Sequence, residues 1–218
     1  SHEFFSTRSP ELNVLAKRLH EEYSLKEFYK VFNKLWKSVH PEEVYLALHT
    51  FSLYKEDFDS STWRFIKEKL KEIKSWDQTD FIGGEIVGEI LVRNKNMERE
   101  IINMAKSKNG WYKRIAIFSL LPLIRENKPE FIFKIIDITL KDSERNIQKA
   151  NGIVLRELSK KRPEITKKFI LKHELSEITF KEATENLKEL RKVRNLKKLK
   201  QRNGFANGFK NGFLKRLR

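Results

Sequence analysis

Apolar residues recur at helical spacing along most of this chain, and no stretch alternates strictly over the length of a strand. Strands are thereby excluded, and the chain reads as all-α. A second, longer periodicity narrows the architecture. Ala47, Gly83 or Gly84, Ala116 and Ala150 occupy comparable places in the more apolar member of successive helix pairs. The steps are roughly 35 residues, in the range of paired-helix repeats. Small residues there let neighbouring helices approach closely. The tetratricopeptide pattern is missing, so the expected fold is an α-solenoid of HEAT-like antiparallel helix pairs with a concave basic surface, where a partner would sit.

Punctuation residues set the helices. Pro10 opens a first helix to about Tyr23, with Leu12, Leu15, Ala16 and Leu19 as its stripe. Ser24 and Glu27 form a capping box ahead of Phe28, Val31, Phe32, Leu35 and Trp36. Pro41 and Ser60-Ser61 open the third and fourth helices, and a sixth spans Met97 to Ala105. A seventh runs from Trp111 to Arg125 with a bend at Pro122, and Pro129 begins the eighth. Ser143 is expected to cap a ninth over 144–160, Pro163 to begin the tenth, and Thr179 with Glu182 to cap the eleventh.

The fifth helix starts at Ser75-Trp76-Asp77-Gln78-Thr79-Asp80, ahead of an apolar segment with Phe81, Ile82, Ile86, Val87 and Ile90 at helical spacing. Ser75 or Asp77 is the expected N-cap, which puts Asp80 in the first turn, where a carboxylate favours the positive end of the dipole. Trp76 precedes Asp80 by four residues, so indole and carboxylate share one edge. By itself the pattern fits a cap beside a core tryptophan as well as a site. Gly83, Gly84 and Gly88 follow no strand, so they read as close-packing positions rather than a nucleotide loop.

Charge points to the partner. The chain of 218 residues has a net charge of +16, an excess that attracts a polyanion, either nucleic acid or an anionic membrane surface. No apolar run approaches the ~20 residues of a spanning helix, and no signal-peptide pattern opens the chain. Cysteine is absent, which excludes disulfides and thiolate chemistry and fits an intracellular protein. The five histidines lack metal-binding spacing, so no metal and no cofactor is expected. From Lys188 onward cations dominate, around a repeat of Asn203-Gly204-Phe205, Asn207-Gly208-Phe209 and Asn211-Gly212-Phe213. Glycine every fourth residue opposes helix, and a flexible tail is expected. Its phenylalanines suit stacking on exposed bases, or the tail is simply solvated. The expected division is an N-terminal segment over 1–8, a repeat domain over 9–190 and a basic tail over 191–218.

Three segments carry a resemblance. Trp76-Asp77-Gln78-Thr79-Asp80 with Val87-Gly88, then Trp111-Tyr112-Lys113-Arg114-Ile115-Ala116-Ile117, then Gln148-Lys149-Ala150-Asn151-Gly152 with Leu155-Arg156-Glu157, resemble the AlkD-type DNA alkylation repair enzymes. Phe4 and Arg8-Ser9-Pro10-Glu11-Leu12 resemble that family's amino-terminal signature, and the match covers roughly 4–190. The resemblance implies a HEAT-repeat, monofunctional glycosylase that removes N3- and N7-alkylated purines from duplex DNA as a monomer, without a base-extrusion pocket. It places catalysis on Asp80 and Trp76, and DNA contacts on Arg114, Trp111, Lys149, Arg156 and Lys113. An alkylated base is already cationic and leaves without protonation. A carboxylate then stabilises the cation developing on deoxyribose or positions water, and an indole face contacts the lesion or sugar. Arginine and lysine hold phosphates.

Departures from the family pattern are specific. Ile153 stands at the family's tryptophan position in the ninth helix, and Ser6 stands where the amino-terminal signature has glycine. A wall of the aromatic cleft is therefore missing. The alternative is a non-catalytic HEAT-repeat protein that binds DNA or RNA with lost or weakened activity. A HEAT scaffold for an acidic protein fits the charge equally, whereas membrane association fits poorly because the tail lacks an amphipathic apolar face. The resemblance implies a cytoplasmic location in a prokaryote and a nuclear one in a eukaryote.

Overall fold

The computed structural model describes residues 10–192, and these are helical without a strand among the described residues. The amino-terminal signature before Pro10 and the Asn-Gly-Phe tail lie outside the described residues. The chain divides between Thr139 and Leu140 into two compact units.

The first unit begins with α1 (Pro10–Glu22), α2 (Leu25–Trp36), α3 (Pro41–Leu53) and α4 (Ser60–Lys69). Here α3 packs on both α1 and α2, and the connections between these helices are short. Their core is aromatic. Phe28, Phe32 and Trp36 recur every four residues on α2 and are buried. Phe32 meets Phe51 at 5.2 Å and Phe65 at 5.3 Å, in edge-on arrangements that suit the ring quadrupoles. Two polar ends of this cluster are satisfied: Tyr54 Oη donates to the Tyr23 carbonyl at 2.6 Å, and Trp36 Nε1 donates to Glu72 at 3.1 Å. On α1 the predicted stripe is only partly buried. Ala16 is enclosed, but Leu15 is 48% exposed, because α1 packs mainly on α3 and turns one edge outward.

The centre of the first unit is α5 (Trp76–Phe81), a π-helical stretch (Ile82–Val87) and α6 (Gly88–Arg93), running as one continuous rod. Gly88 N–H bonds back to the Gly83 carbonyl, five residues earlier. Such wide turns are uncommon and concentrate at functional sites. After α7 (Met97–Ala105), α8 (Gly110–Phe118) and α9 (Leu121–Arg125) lie against this rod. The helix expected over 111–125 is thus two, interrupted at Ser119 and Leu120 just ahead of Pro122, where the proline ring excludes a continuous helix. The last helix of this unit is α10 (Pro129–Thr139).

Of the rod's three glycines, two decide how close it comes to α8 and α9. None has positive φ, so they serve space rather than an unusual backbone. A Cβ on Gly83 would lie 2.7 Å from Phe118 Cβ and 2.9 Å from the Ile115 carbonyl oxygen. One on Gly88 would lie 2.7 Å from the Pro122 ring and 2.8 Å from the Ser119 carbonyl oxygen. Gly84 meets only Leu121 Cδ1, at 3.7 Å. Close packing is therefore the role of Gly83 and Gly88, as the sequence suggested. Just beyond them, buried Glu89 pairs with Arg125 of α9 and with Arg93, which also reaches Glu56 at 2.5 Å.

In the second unit α11 (Arg145–Lys161) packs on α12 (Pro163–Lys172) and α13 (Glu177–Ala183). Glu144, not Ser143, occupies the N-cap of α11. The last helix starts earlier than its apparent capping box: Ser176 accepts from Thr179 N–H. Thr179 is fully buried and donates its hydroxyl to the Gln148 carbonyl at 2.9 Å. Gly152 makes that approach possible, since a Cβ there would meet Glu182 Cβ at 2.4 Å.

Overpacking a tight contact costs about 1–3 kcal/mol. Gly83→Ala and Gly88→Ala are each expected to destabilise by that amount, and Gly84→Ala to be neutral or stabilising by up to about 1 kcal/mol. Urea unfolding of the three variants checks the order.

Candidate active site

Ser75 caps α5 by accepting from Gln78 N–H, so Asp77 lies in the first turn and Asp80 one residue past it. The dipole position expected for Asp80 is therefore taken by Asp77. What holds Asp80 is an arginine from α8. Arg114 Nε lies 2.5 Å from Asp80 Oδ1 and Nη2 lies 2.7 Å from Oδ2. Two parallel charge-assisted bonds fix both planes, a geometry that lysine cannot reproduce. The side chains are 7% and 17% exposed for Arg114 and Asp80, so the pair is largely out of water while one edge of the carboxylate remains accessible.

Aromatic rings enclose the guanidinium. Its carbon lies 4.9 Å from the Phe118 ring centre and 5.5 Å from that of Trp76. Trp76 in turn meets Trp111 at 4.1 Å between ring centres, tilted by 42°. Both indoles are half-buried. The spacing of four between Trp76 and Asp80 sets indole and carboxylate on one edge of α5, and Arg114 touches both. Thr79 is fully buried beside them; its hydroxyl donates to the Trp76 carbonyl at 2.5 Å and lies 3.3 Å from Asp80 Oδ1.

Thr79 and Phe118 escape a reading of motifs alone. Phe118 follows Arg114 by four residues, the spacing of helix neighbours, and that was the available signal. Thr79 offers none, since its role depends on which face of α5 turns inward.

The other sequence-derived candidates are distributed elsewhere. Lys113 is half-exposed beside Arg114 on α8. Lys149 and Arg156 belong to α11 in the second unit, as does Ile153, which is 3% exposed. Arg156 is engaged internally, at 2.5 Å from Glu185, 3.6 Å from Glu182 and 3.4 Å from Glu157. Burial disfavours its charged form, but the three carboxylates outweigh that and hold the guanidinium above its ordinary value. No group of three or more His, Asp or Glu that could hold a metal occurs among the described residues, nor any helix long and apolar enough to cross a membrane.

Removing one partner of a buried, hydrogen-bonded ion pair costs about 3–5 kcal/mol because the other charge is left uncompensated. Arg114→Ala is expected to lose about that much stability, and Asp80→Asn with Arg114→Ala less than the sum of the two single changes. A double-mutant cycle by denaturant unfolding checks this.

The model of a family described as DNA alkylation repair enzyme matches residues 1–187. No curated protein matches the chain in sequence. A solved structure described as a predicted DNA alkylation repair enzyme from Enterococcus faecalis superposes with a TM-score of 0.72 at 21% identity, over 82% of this chain and 85% of that one. AlkD2 from Streptococcus mutans superposes with a TM-score of 0.63 at 20% identity, over 83% and 92%. The likeness to these structures is one of fold. The matched span takes in α5 and α8 with the Asp80–Arg114 pair and α11 with Lys149. The chain belongs to the DNA alkylation repair enzyme family.

Proposed function

We propose that the chain is a monofunctional DNA glycosylase that releases N3- or N7-alkylated purines from duplex DNA. The observation that carries this reading is the Asp80–Arg114 fork beneath the Trp76–Trp111 pair. Membership of the family supports DNA as the partner and alkylation repair as the task.

The chemistry follows from the charge of the lesion. An N3- or N7-alkylated purine carries a positive charge before any bond breaks, so its departure requires no proton from the enzyme. Cleavage moves positive character onto the deoxyribose. Asp80, ionised against Arg114, stabilises that charge and orients the water that attacks the sugar carbon. The proton released by water passes to solvent or to the carboxylate. Trp76 and Trp111 offer indole faces to the cationic lesion or the sugar, an attraction that uncharged purines lack. Arg114 acts through Asp80, by orienting its carboxylate. Phosphate contacts then rest on Lys113 and Lys149. Arg156 meets a phosphate only by giving up its glutamates.

A second reading, a DNA-binding protein with lost or weakened activity, is favoured by one residue. Ile153 supplies no indole where the family pattern has one, and its side chain is buried. The two readings separate in one assay. Duplex DNA containing N7-methylguanine or N3-methyladenine is incubated with the parent, Asp80→Asn and Ile153→Trp. The glycosylase reading expects base release by the parent, a loss of at least about 100-fold in Asp80→Asn, and equal or faster release by Ile153→Trp. Salt-dependent binding with no release by the parent overturns it.

A further inference from the structure

Helix α2 has two faces of opposite chemistry. Phe28, Phe32 and Trp36 face the core. On the other side Lys26, Lys30, Lys34 and Lys37 recur once per turn, and all four are exposed. None has an ion-pair partner among the described residues, whereas Lys67, Arg93, Arg114, Arg125, Arg156, Lys160 and Lys167 are all paired. The one acid on α2, Glu27, is committed to the cap: it accepts from Ser24 N–H at 2.9 Å and Ser24 Oγ at 2.6 Å. Those bonds, with a smaller contribution from Lys30, hold its carboxyl below its ordinary value.

Helix electrostatics account for Lys34 and Lys37, near the negative end of the dipole. They do not account for Lys26 in the first turn, where a cation opposes it. We propose that this lysine row is a phosphate-tracking surface, a sequence-independent contact to the backbone of duplex DNA on a helix that carries no residue of the candidate active site. From Lys26 to Lys37 the helix rises about 16 Å. One DNA strand presents a charge every ~3.4 Å along its axis, so the row matches about five phosphates. A protein partner fits less well. Lysine is depleted at protein interfaces, whose centres are apolar, and the exposed large apolar residues among the described residues, Val14, Leu15, Val39 and Leu171, all lie off α2. An anionic membrane would require an apolar wedge that this face also lacks.

The proposal shares with the preceding reading its choice of DNA as partner and does not depend on catalysis. The test is equilibrium binding of the full chain to unmodified duplex DNA over a salt series. The row variant combines Lys26→Gln, Lys30→Gln, Lys34→Gln and Lys37→Gln, since glutamine preserves helix propensity. The control combines Lys95→Gln, Arg99→Gln, Lys128→Gln and Lys134→Gln, exposed cations of the same unit that form no row. Thermal melts verify that both stay folded. Each phosphate contact contributes about 0.9 to the slope of log K against log salt, so the row variant is expected to lose about 3–4 units of slope and the control less than about 1. Equal losses in the two variants would show bulk charge at work and overturn the proposal. So would an unchanged slope accompanied by lost binding to polyglutamate, which points to an acidic protein. Base release by the parent is scored separately, so failure of the glycosylase reading appears there and not in the slope.

Discussion

Asp80 and Arg114 come from different helices, yet share two hydrogen bonds whose geometry tolerates little displacement. A carboxylate and a guanidinium this far from water are costly unless they meet squarely. Everything nearby makes that meeting possible. Gly83 lets α5 and its π-helical continuation lie against Ile115 and Phe118 of α8, and Gly88 receives the Pro122 ring of α9. The Phe118 and Trp76 rings both pack on the guanidinium. The carboxylate is therefore aimed by tertiary packing. The helix dipole has a smaller part, because it falls off within the first turn, which Asp77 occupies.

The cations sort by their work. Arginines form most of the pairs with partly buried carboxylates: Arg114 on Asp80, Arg125 and Arg93 on Glu89, Arg156 among three glutamates. The planar fork of arginine suits such carboxylates and its charge is not lost on burial. Unpaired lysines such as the row on α2 stay in solvent, where a strongly hydrated ammonium is inexpensive and free to meet a phosphate.

Most of the helices were legible because each buries a stripe against a neighbour, and prolines mark several starts. The capping box at Ser24 and Glu27 reads correctly because both halves of it are local. Thr179 and Glu182 have the same spelling, but Thr179 turns inward to bond the Gln148 carbonyl, and Ser176 caps instead. That choice is tertiary. The π-helical turn over 82–87, which lies against α8, is likewise invisible to periodicity. Trp76, Asp80, Trp111 and Arg114 could be singled out from the sequence; their union could not, because Arg114 reads equally as a phosphate-binding arginine. Arg156 has the same ambiguity, and two of the three glutamates that enclose it are 26 and 29 residues further on.

Asp80 and Arg114 are joined into one unit by their two hydrogen bonds. Single-turnover base release from alkylated duplex DNA by Asp80→Asn, Arg114→Lys and the double variant tests that unity most directly. If Arg114 works by aiming the carboxylate, Arg114→Lys alone slows release, and the double variant is no slower than the worse single one. A double variant slowed by the product of the two single effects, or an Arg114→Lys enzyme as fast as the parent, would contradict it.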